Sequence, residues 1–383
     1  MKSILILDPR GNINFGGEDT FLRHESYARE IRNHRQLKSQ QLVVISIGDK
    51  VNKQTSVFDL KVVNASSINF VKFAYLAAKE IKRNRLVPSI LVVGDPWEGY
   101  WAGGLVRFFT KINCPIQVQL HGDFGNPIWK ELNFRNRLRS FVIGYAIRNS
   151  ESIRTVSEYQ TDFIINRFHI NRDKIVVCPP PLNPAYLKRK KFSKRSVNKA
   201  VSLAFIGRLH SERGTEQLKK LVSNLNSVEF RFNLIVVGSG PLEKKLKRDL
   251  FELLSANQIE FHSFLEPKDL TLLWERADLN LNLAPSESYG RTMREALLSG
   301  VPVLAIESSG VKELIQLVGN QSVLTLTPKD APVEVVEKIE KLLRAGVSNT
   351  VKNQIMEIEH RKKLLLIESW YQTVKVFDSK GSS

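Results

Sequence analysis

Residues 284–314 read APSESYGRTMREALLSGVPVLAIESSGVKEL, and this stretch decides how the second half of the chain is interpreted. Two carboxylates, Glu287 and Glu295, stand eight positions apart in it. Glu287 falls in a loop after an apolar strand predicted over residues 279–283, and Glu295 about one turn inside the helix that follows. Both acids then lie at the carboxyl end of a strand, beside the N–H groups of a helix N-terminus. Such a corner suits a ligand with hydroxyls at both ends and phosphates in the middle, as in a nucleotide sugar.

The residue types in this stretch indicate separate roles. A carboxylate accepts two hydrogen bonds from vicinal hydroxyls, so Glu295 is predicted to hold a ribose diol and Glu287 the hydroxyls of a sugar ring. The N–H groups of Gly290, Arg291 and Thr292 would face phosphate oxygens, with the helix dipole adding about 0.3–1 kcal/mol. The plain alternative is a surface loop and a solvated helix face that carry acids.

Length and composition indicate a globular protein of two domains. The chain has 383 residues, of which 42% are hydrophobic and 25% charged, too many for one hydrophobic core. Its two cysteines, Cys114 and Cys178, favour neither a disulfide framework nor a metal site, and a reducing cytosol is the simplest setting. The apolar run near the N-terminus is too short for a signal peptide, and nothing approaches the roughly 20 apolar residues of a membrane span.

Strand and helix signals alternate in each half, which predicts two parallel sheets covered by helices on both faces. Between the halves lie three consecutive prolines and a basic run, typical of a linker. The predicted division is an N-terminal acceptor-side Rossmann-like domain over 1–187, a basic linker over 188–199, a nucleotide-sugar donor domain over 200–351, and a helix with a short tail over 352–383 that packs back on the first domain. Two doubly wound domains facing each other would hold the ligand in a cleft between them.

The 284–314 stretch resembles the donor-site signature of family four of the retaining GT-B glycosyltransferases, the glycosyl transferases of group 1. That pattern is a glutamate, a second glutamate eight positions on, and then AxxxGxPV, and Tyr289 with Gly290 matches its aromatic–glycine pair. Two upstream stretches agree, FIGRLHSERG at Phe205–Gly214 and IVVGSGPL at Ile235–Leu242. The resemblance is strong over Val201–Leu314 and weak in the first domain. It implies an α/β GT-B fold, with the C-terminal helix crossing back to the first domain.

The stretch at Phe205–Gly214 supplies two cations. It follows a strand and opens a helix, so Arg208 and Arg213 can converge on a diphosphate. The family usually has arginine and lysine at these positions, and Arg213 departs from that pattern while keeping the charge. Because negative charge develops on a departing diphosphate, two fixed cations would stabilise the transition state. No metal-ligand cluster appears near this region, which agrees with the metal-independent habit of the resembled fold.

Ile235–Leu242 also resembles a dinucleotide fingerprint, because Gly238 and Gly240 follow a strand and precede a helix. Glu243 replaces the third glycine, and a lone Gly-x-Gly is weak evidence for NAD. The stretch is interpreted as a tight turn that lines the nucleotide site, and no cofactor is expected, since the nucleotide sugar is a substrate.

In the first domain, Gly16 and Gly17 lie in the loop after the first strand, where glycine lets the backbone approach a ligand closely. In the resembled family such a loop touches the donor phosphates or the acceptor. His121 follows a predicted strand, and the family often has a histidine there that contacts the transferred sugar; the alternative is a structural histidine. Asp95 and Glu98 also follow a strand end and could line the acceptor side.

The net charge of +18 is uneven. Between Lys130 and Lys199 there are sixteen Lys or Arg against five Asp or Glu, a surplus that attracts an anionic membrane, a polyanion or an anionic substrate. Apolar residues recur at helical spacing in Lys130–Arg148, so this segment is either a basic amphipathic helix on a membrane or a domain helix with its apolar stripe in the core.

The sequence thus predicts a retaining, metal-independent, hexosyltransferase-type glycosyltransferase acting on a glycan or lipid-linked acceptor in cell-envelope or polysaccharide synthesis. It would be cytoplasmic, or peripheral on the inner face of the membrane. One alternative is a nucleotide-sugar epimerase of GT-B shape, which needs no acceptor. A nucleic-acid-binding protein is a second, disfavoured because aromatic and basic residues are not interleaved. An inactive sugar-nucleotide-binding relative is a third.

Overall fold

The computed structural model describes residues 2–65, 69–122, 127–131, 134–182 and 200–381. The chain divides into two compact units that are not continuous in sequence. The first comprises Met1–Gly122, Phe134–Pro181 and His360–Ser383, and the second comprises Asp123–Asn133 and Leu182–Glu359. The basic run over 188–199 lies outside the described residues.

The first unit is built on a parallel sheet of seven strands in the order β3-β2-β1-β4-β5-β6-β7. The strands are β1 (Lys2–Asp8), β2 (Gln41–Ile47), β3 (Asp59–Val63), β4 (Val87–Val93), β5 (Ile116–Gln119), β6 (Ser152–Thr155) and β7 (Ile175–Val177). Helices between them are α1 (Glu18–Asn33), α2 (Phe70–Arg83), α3 (Glu98–Thr110), α5 (Phe134–Asn149) and α6 (Glu158–Phe168), while the short α4 (Pro127–Glu131) clusters with the second unit. The strand order reverses between β1 and β4.

The central strands of the first unit form its hydrophobic core. In β1 the run SILILD is buried on both faces, and it pairs in parallel with β2 and β4, as at Ile4 opposite Leu42 and Ile90. The last helix, α13 (Asn349–Gly381), completes this core. Its Trp370 is fully buried and donates from Nε1 to Gln117 Oε1 at 2.7 Å. The predicted return of the C-terminal helix to the first domain is confirmed.

The second unit is built on a parallel sheet of six strands in the order β10-β9-β8-β11-β12-β13. The strands are β8 (Val201–Ile206), β9 (Phe232–Val237), β10 (Ile259–His262), β11 (Leu279–Asn282), β12 (Val303–Ile306) and β13 (Val323–Leu326). The helices are α7 (Thr215–Ser227), α8 (Glu243–Phe251), α9 (Pro267–Arg276), α10 (Arg291–Leu298), α11 (Ser309–Val318), α12 (Pro332–Ala345) and the first part of α13.

The topology of this second sheet positions the candidate site. Strands β8 and β11 are neighbours, paired as at Leu203 opposite Leu279, and the strand order reverses between them. Ligands of open parallel sheets bind outside the carboxyl ends of the strands at such a reversal. The loop carrying Arg208 and Arg213 leaves β8, and the loop carrying Glu287 leaves β11. The fold therefore brings together two motifs that stand more than seventy residues apart in sequence.

Candidate functional site

A partly buried ion pair joins the two loops at this edge. Arg213 Nη1 donates to Glu287 Oε2 at 2.7 Å, with the side chains 34% and 13% exposed. The other oxygen of Glu287 accepts the backbone N–H groups of Tyr289 at 3.2 Å and Gly290 at 3.0 Å. The carboxylate is thus held by three donors, and Arg213 is fixed beside it with the rest of its guanidinium available for an anion.

The helix that follows presents its N-terminus at the same point. Gly290 precedes α10 with φ of 74°, a left-handed conformation that favours glycine. One turn into α10, Glu295 is buried, and its Oε1 lies 3.5 Å from Arg291 Nη2. The predicted set Glu287, Tyr289, Gly290, Arg291, Thr292 and Glu295 therefore occupies one loop and the first turn of one helix.

Helix α11 supports the Glu287 loop from a second side, which the sequence analysis missed. The N–H of Gly310 donates to the Glu287 carbonyl oxygen at 2.8 Å, and Ser309 Oγ donates to the same oxygen at 3.2 Å. A Cβ atom on Gly310 would lie 2.6 Å from Tyr289 N and 2.8 Å from Glu287 O. The one sequence feature that could have indicated this contact is a glycine in the first turn of a helix, where alanine is intrinsically favoured by up to about 1 kcal/mol.

The ring of Tyr289 is anchored by residues that were also missed. Its hydroxyl donates to Glu359 Oε1 at 2.6 Å, and Glu359 Oε2 accepts the N–H of Leu182 at 3.0 Å. Arg294 stacks on the ring with its guanidinium carbon 3.7 Å from the centroid, and it donates to the Tyr289 carbonyl. Burial raises the pKa of Tyr289 well above its ordinary value, so the hydroxyl stays protonated as a donor. Arg294 and Glu359 are both buried.

The remaining predicted residues of this unit differ in their surroundings. Arg208 is exposed and pairs with Glu212 at 2.9 Å. A Cβ on Gly238 would collide with the carbonyl oxygen of Gly207, so the turn after β9 packs directly on the loop after β8. This is the tight turn that the Gly-x-Gly pattern predicted. Gly214 approaches the carbonyl of Leu283 in the same way, with φ of 84°.

The predicted residues of the first unit lie at the carboxyl edge of its own sheet. Gly17 precedes α1, and the Gly16 carbonyl accepts from Lys53 Nζ at 2.9 Å. His121 follows β5 and is exposed. Its pKa is lowered by desolvation and by the positive charges of Arg154 and Arg23. Because an exposed ring keeps much of its hydration, the charges are the weightier cause, and either one leaves the imidazole neutral at pH 7.

Asp95 and Glu98, considered for the acceptor side, have structural partners. Asp95 Oδ1 accepts the N–H groups of Trp97 and Gly99 at 2.9 and 3.0 Å. Glu98 pairs with Arg10 at 2.7 Å and with two arginines of α5. Burial acts to raise its pKa, but the N–H at the start of α3 and the Arg10 guanidinium outweigh it and lower the pKa of Glu98 to about 2. These acids fasten the start of α3 to its neighbours.

The described residues contain no group of three His, Cys, Asp or Glu side chains placed to hold a metal ion. None of the helices described is both long and apolar enough to cross a membrane.

The fold is that of the GT-B glycosyltransferases. Over 98% of this chain and 99% of the other, it superposes on the Anabaena protein Alr3699/HepE in complex with UDP-glucose, with a TM-score of 0.68 and 17% sequence identity. At that identity the likeness concerns the fold alone. Residues 188–360 match the family model of glycosyl transferases group 1. That stretch, a little under half of the chain, is similar to this family.

Curated relatives share part of their length with this chain. It is 28% identical over 268 residues to the GtfA subunit of the UDP-N-acetylglucosamine–peptide N-acetylglucosaminyltransferase of Streptococcus agalactiae, covering 69% of this chain and 50% of the relative. It is 21% identical over 203 residues to the alpha-monoglucosyldiacylglycerol synthase of Streptococcus pneumoniae, covering 50% of this chain and 46% of the relative. The chain therefore spans about half the length of these curated relatives.

Proposed function

We propose that the protein is a glycosyltransferase that moves a sugar from a nucleotide-diphosphate-sugar donor to an acceptor hydroxyl. The observation that carries the proposal is the pairing of Arg213 with Glu287 at the N-terminus of α10, with Glu295 buried one turn further on. Cation, helix N-terminus and two carboxylates then meet at one strand edge, in the order that a diphosphate flanked by two sets of hydroxyls requires.

In this proposal the two carboxylates take the two ends of the donor. Glu295 is buried, so hydroxyls of a ribose would supply the hydrogen bonds that water gives to an exposed acid. Glu287 is already oriented by two backbone N–H groups and Arg213, and it has lone pairs left for the hydroxyls of the transferred sugar. Because the Glu287 carboxylate is already oriented, no conformational entropy is lost in ordering it when the sugar nucleotide binds.

The phosphates of the sugar nucleotide would lie between Glu287 and Glu295. Arg213, with Arg208 on the same loop, would neutralise the charge that develops on the departing diphosphate, assisted by the N–H groups at the start of α10. We propose that this positive charge makes the reaction metal-independent. Turnover that survives EDTA is the expected result, and turnover that EDTA abolishes and Mg²⁺ or Mn²⁺ restores would contradict it.

The anomeric configuration is proposed to be retained, as in the resembled family. Three hydrogen-bond donors hold the Glu287 carboxylate in place. This suits a group that orients the sugar and not a nucleophile that attacks it. His121 of the first unit, neutral at pH 7, would hydrogen-bond the reacting sugar, and the departing phosphate would take the acceptor proton. The anomeric coupling constant of the isolated product measures this, and inversion would refute it.

Donor binding is tested by thermal shifts with UDP, GDP, ADP and their sugars. UDP comes first because the structural neighbour holds UDP-glucose. At a hundredfold excess over its dissociation constant a ligand stabilises the fold by about 2.7 kcal/mol. Glu295→Gln should lose the shift, while Glu307→Gln, whose side chain is 60% exposed and pairs with Lys312, should keep it. A full shift in Glu295→Gln would remove this residue from the donor site.

The acceptor is proposed to be a glycan or lipid-linked glycan of cell-envelope or polysaccharide synthesis, used at the inner face of the membrane. The relative named as a diacylglycerol-lipid synthase and the basic region Lys130–Lys199 support this location. With a radiolabelled donor, a transferase moves label to a lipid or glycan extract. An epimerase would instead change the sugar nucleotide without any acceptor.

A further inference from the structure

Helix α5 is apolar on two opposite faces. Ile143 and Ile147 pack into the first unit and are 3% and 0% exposed. Five other large apolar side chains fall within roughly 100° of the helix circumference on the opposite face, at about 100° per residue. They are Phe134, Leu138, Phe141, Val142 and Tyr145, with 39–78% of each exposed. The apolar spacing that predicted an amphipathic helix therefore marks the outer face of α5 and not its core face.

Helix α3 extends this face. Trp101 stacks on Tyr145 with ring centroids 5.2 Å apart and planes 10° from parallel. Two turns further along α3, Phe108 is 75% exposed. Monomeric soluble proteins rarely leave such a contiguous set of large apolar side chains in water unless something covers it.

The margins of the stripe are basic. Helix α5 contains four arginines and no acidic residue. By their helical positions, Arg135 and Arg139 border one edge, where both pair with Glu98 at 2.9 Å. Arg137 and Arg148 border the other edge and are exposed.

We infer that this surface, the outer face of α5 with Trp101 and Phe108, docks on an anionic lipid bilayer. The inference rests on the peripheral location proposed above but on nothing in the donor site. Aromatic and aliphatic side chains enter the headgroup–acyl boundary, tryptophan and tyrosine settle at headgroup level, and arginines bind lipid phosphates. A second copy of the chain is disfavoured, because a symmetric contact through this stripe would bring its arginine margins against one another.

The test is co-sedimentation of the full chain with vesicles of phosphatidylcholine alone or mixed with phosphatidylglycerol. The wild type should bind the anionic vesicles. Phe134→Ser with Phe141→Ser should lower the partition coefficient at least about tenfold, since each ring is 77–78% exposed and supplies apolar area to the contact. The matched control removes two exposed phenylalanines of the second unit, Phe251→Ser with Phe264→Ser, and should bind as the wild type does.

A second pair, Arg137→Gln with Arg148→Gln, should lower binding to anionic vesicles about fivefold per arginine and leave the weak binding to phosphatidylcholine unchanged. The nucleotide thermal shift of every variant is recorded alongside and should not change, so failure of the bilayer contact is distinguished from failure of the donor site. Equal sedimentation of the phenylalanine variant and the wild type would overturn the inference. So would a dimer in light scattering that the same variant dissociates.

Discussion

Replacing Gly310 by alanine tests whether the Glu287 loop depends on the close approach of α11. The added Cβ would lie 2.6 Å from Tyr289 N and 2.8 Å from Glu287 O, and both are backbone atoms that no rotamer change can move aside. Reaching even 3.0 Å requires a displacement of about 0.4 Å in the loop that carries the Glu287 carboxylate.

Two opposing effects set the size of the change. Alanine in a helix is favoured over glycine by about 1 kcal/mol, whereas overpacking a close contact costs about 1–3 kcal/mol. The clash with backbone puts the cost at the upper end, so a net loss of about 1–2 kcal/mol in the free energy of unfolding is expected. Misplacement by 1 Å can cost about a hundredfold in rate, so a shift of half that size should weaken donor use about tenfold.

Urea unfolding measures the first quantity, and the rate of turnover of the sugar-nucleotide donor measures the second. Calorimetric titration with the nucleotide diphosphate follows binding separately. The matched control is Gly104→Ala on helix α3, where an added Cβ meets nothing within 4 Å. Removing the conformational freedom of that glycine should raise stability by about 0.4–1 kcal/mol and leave binding unchanged. If Gly310→Ala binds the nucleotide as tightly as the wild type and unfolds no earlier, the loop is not held by this contact and the reasoning fails.

Three further changes probe other contacts, two of them beside the Glu287 loop and one in the first unit. Arg213→Lys keeps the charge beside Glu287 but loses the planar fork, so nucleotide diphosphate affinity should fall about tenfold in calorimetry; an unchanged constant would show that Arg213 acts only as a point charge. Tyr289→Phe removes a donor to buried Glu359 and should cost about 1.5–3 kcal/mol in urea unfolding, whereas a loss under about 0.5 kcal/mol would contradict the anchor. Burial, and after it nearby positive charge, lowers the pKa of His24 from 6.5 to about 3. The free energy of unfolding that is present above pH 6.5 is therefore lost as the pH falls towards 3, with a loss of about 2 kcal/mol at pH 5. His24→Gln should flatten that slope, and an unaltered slope would assign it to other groups.

The strands predicted from sequence are those whose residues are mostly apolar. Val201–Ile206 and Phe232–Val237 are of this kind, because a strand buried on both faces carries its own signal. The strands Asp59–Val63 and Ser152–Thr155 escaped prediction, since the first contains a lysine and the second places Arg154 among buried neighbours. These short segments are strands because they pair, as at Ile153 opposite Val118. Local pattern cannot report a pairing partner.

The candidate site likewise contains residues that the sequence predicts and contacts that only the folded chain shows. Glu287, Gly290 and Glu295 lie within nine consecutive residues, so spacing alone places them on one loop and one helix. The contact of Tyr289 with Glu359 joins residues seventy positions apart, and nothing in the composition of α13 singles out one acid of a charged helix. Gly310 was within the quoted stretch, yet its role depends on how closely two backbones approach, which is a property of the folded chain.

These missed contacts show how a loop can be held rigid enough to serve as the proposed donor site. The Glu287 carboxylate is held by Arg213 and two N–H groups, its carbonyl by α11, and the adjacent Tyr289 ring by Glu359. A loop restrained from three sides has little conformational entropy left to lose, so ordering the loop subtracts little from the free energy of ligand binding. Glu359 is also the last residue of α13 that clusters with the second unit, and the helix continues into the first from residue 360. Since the Tyr289–Glu359 hydrogen bond lies at this point of α13, losing it should affect both the Glu287 loop and the part of α13 that begins at residue 360.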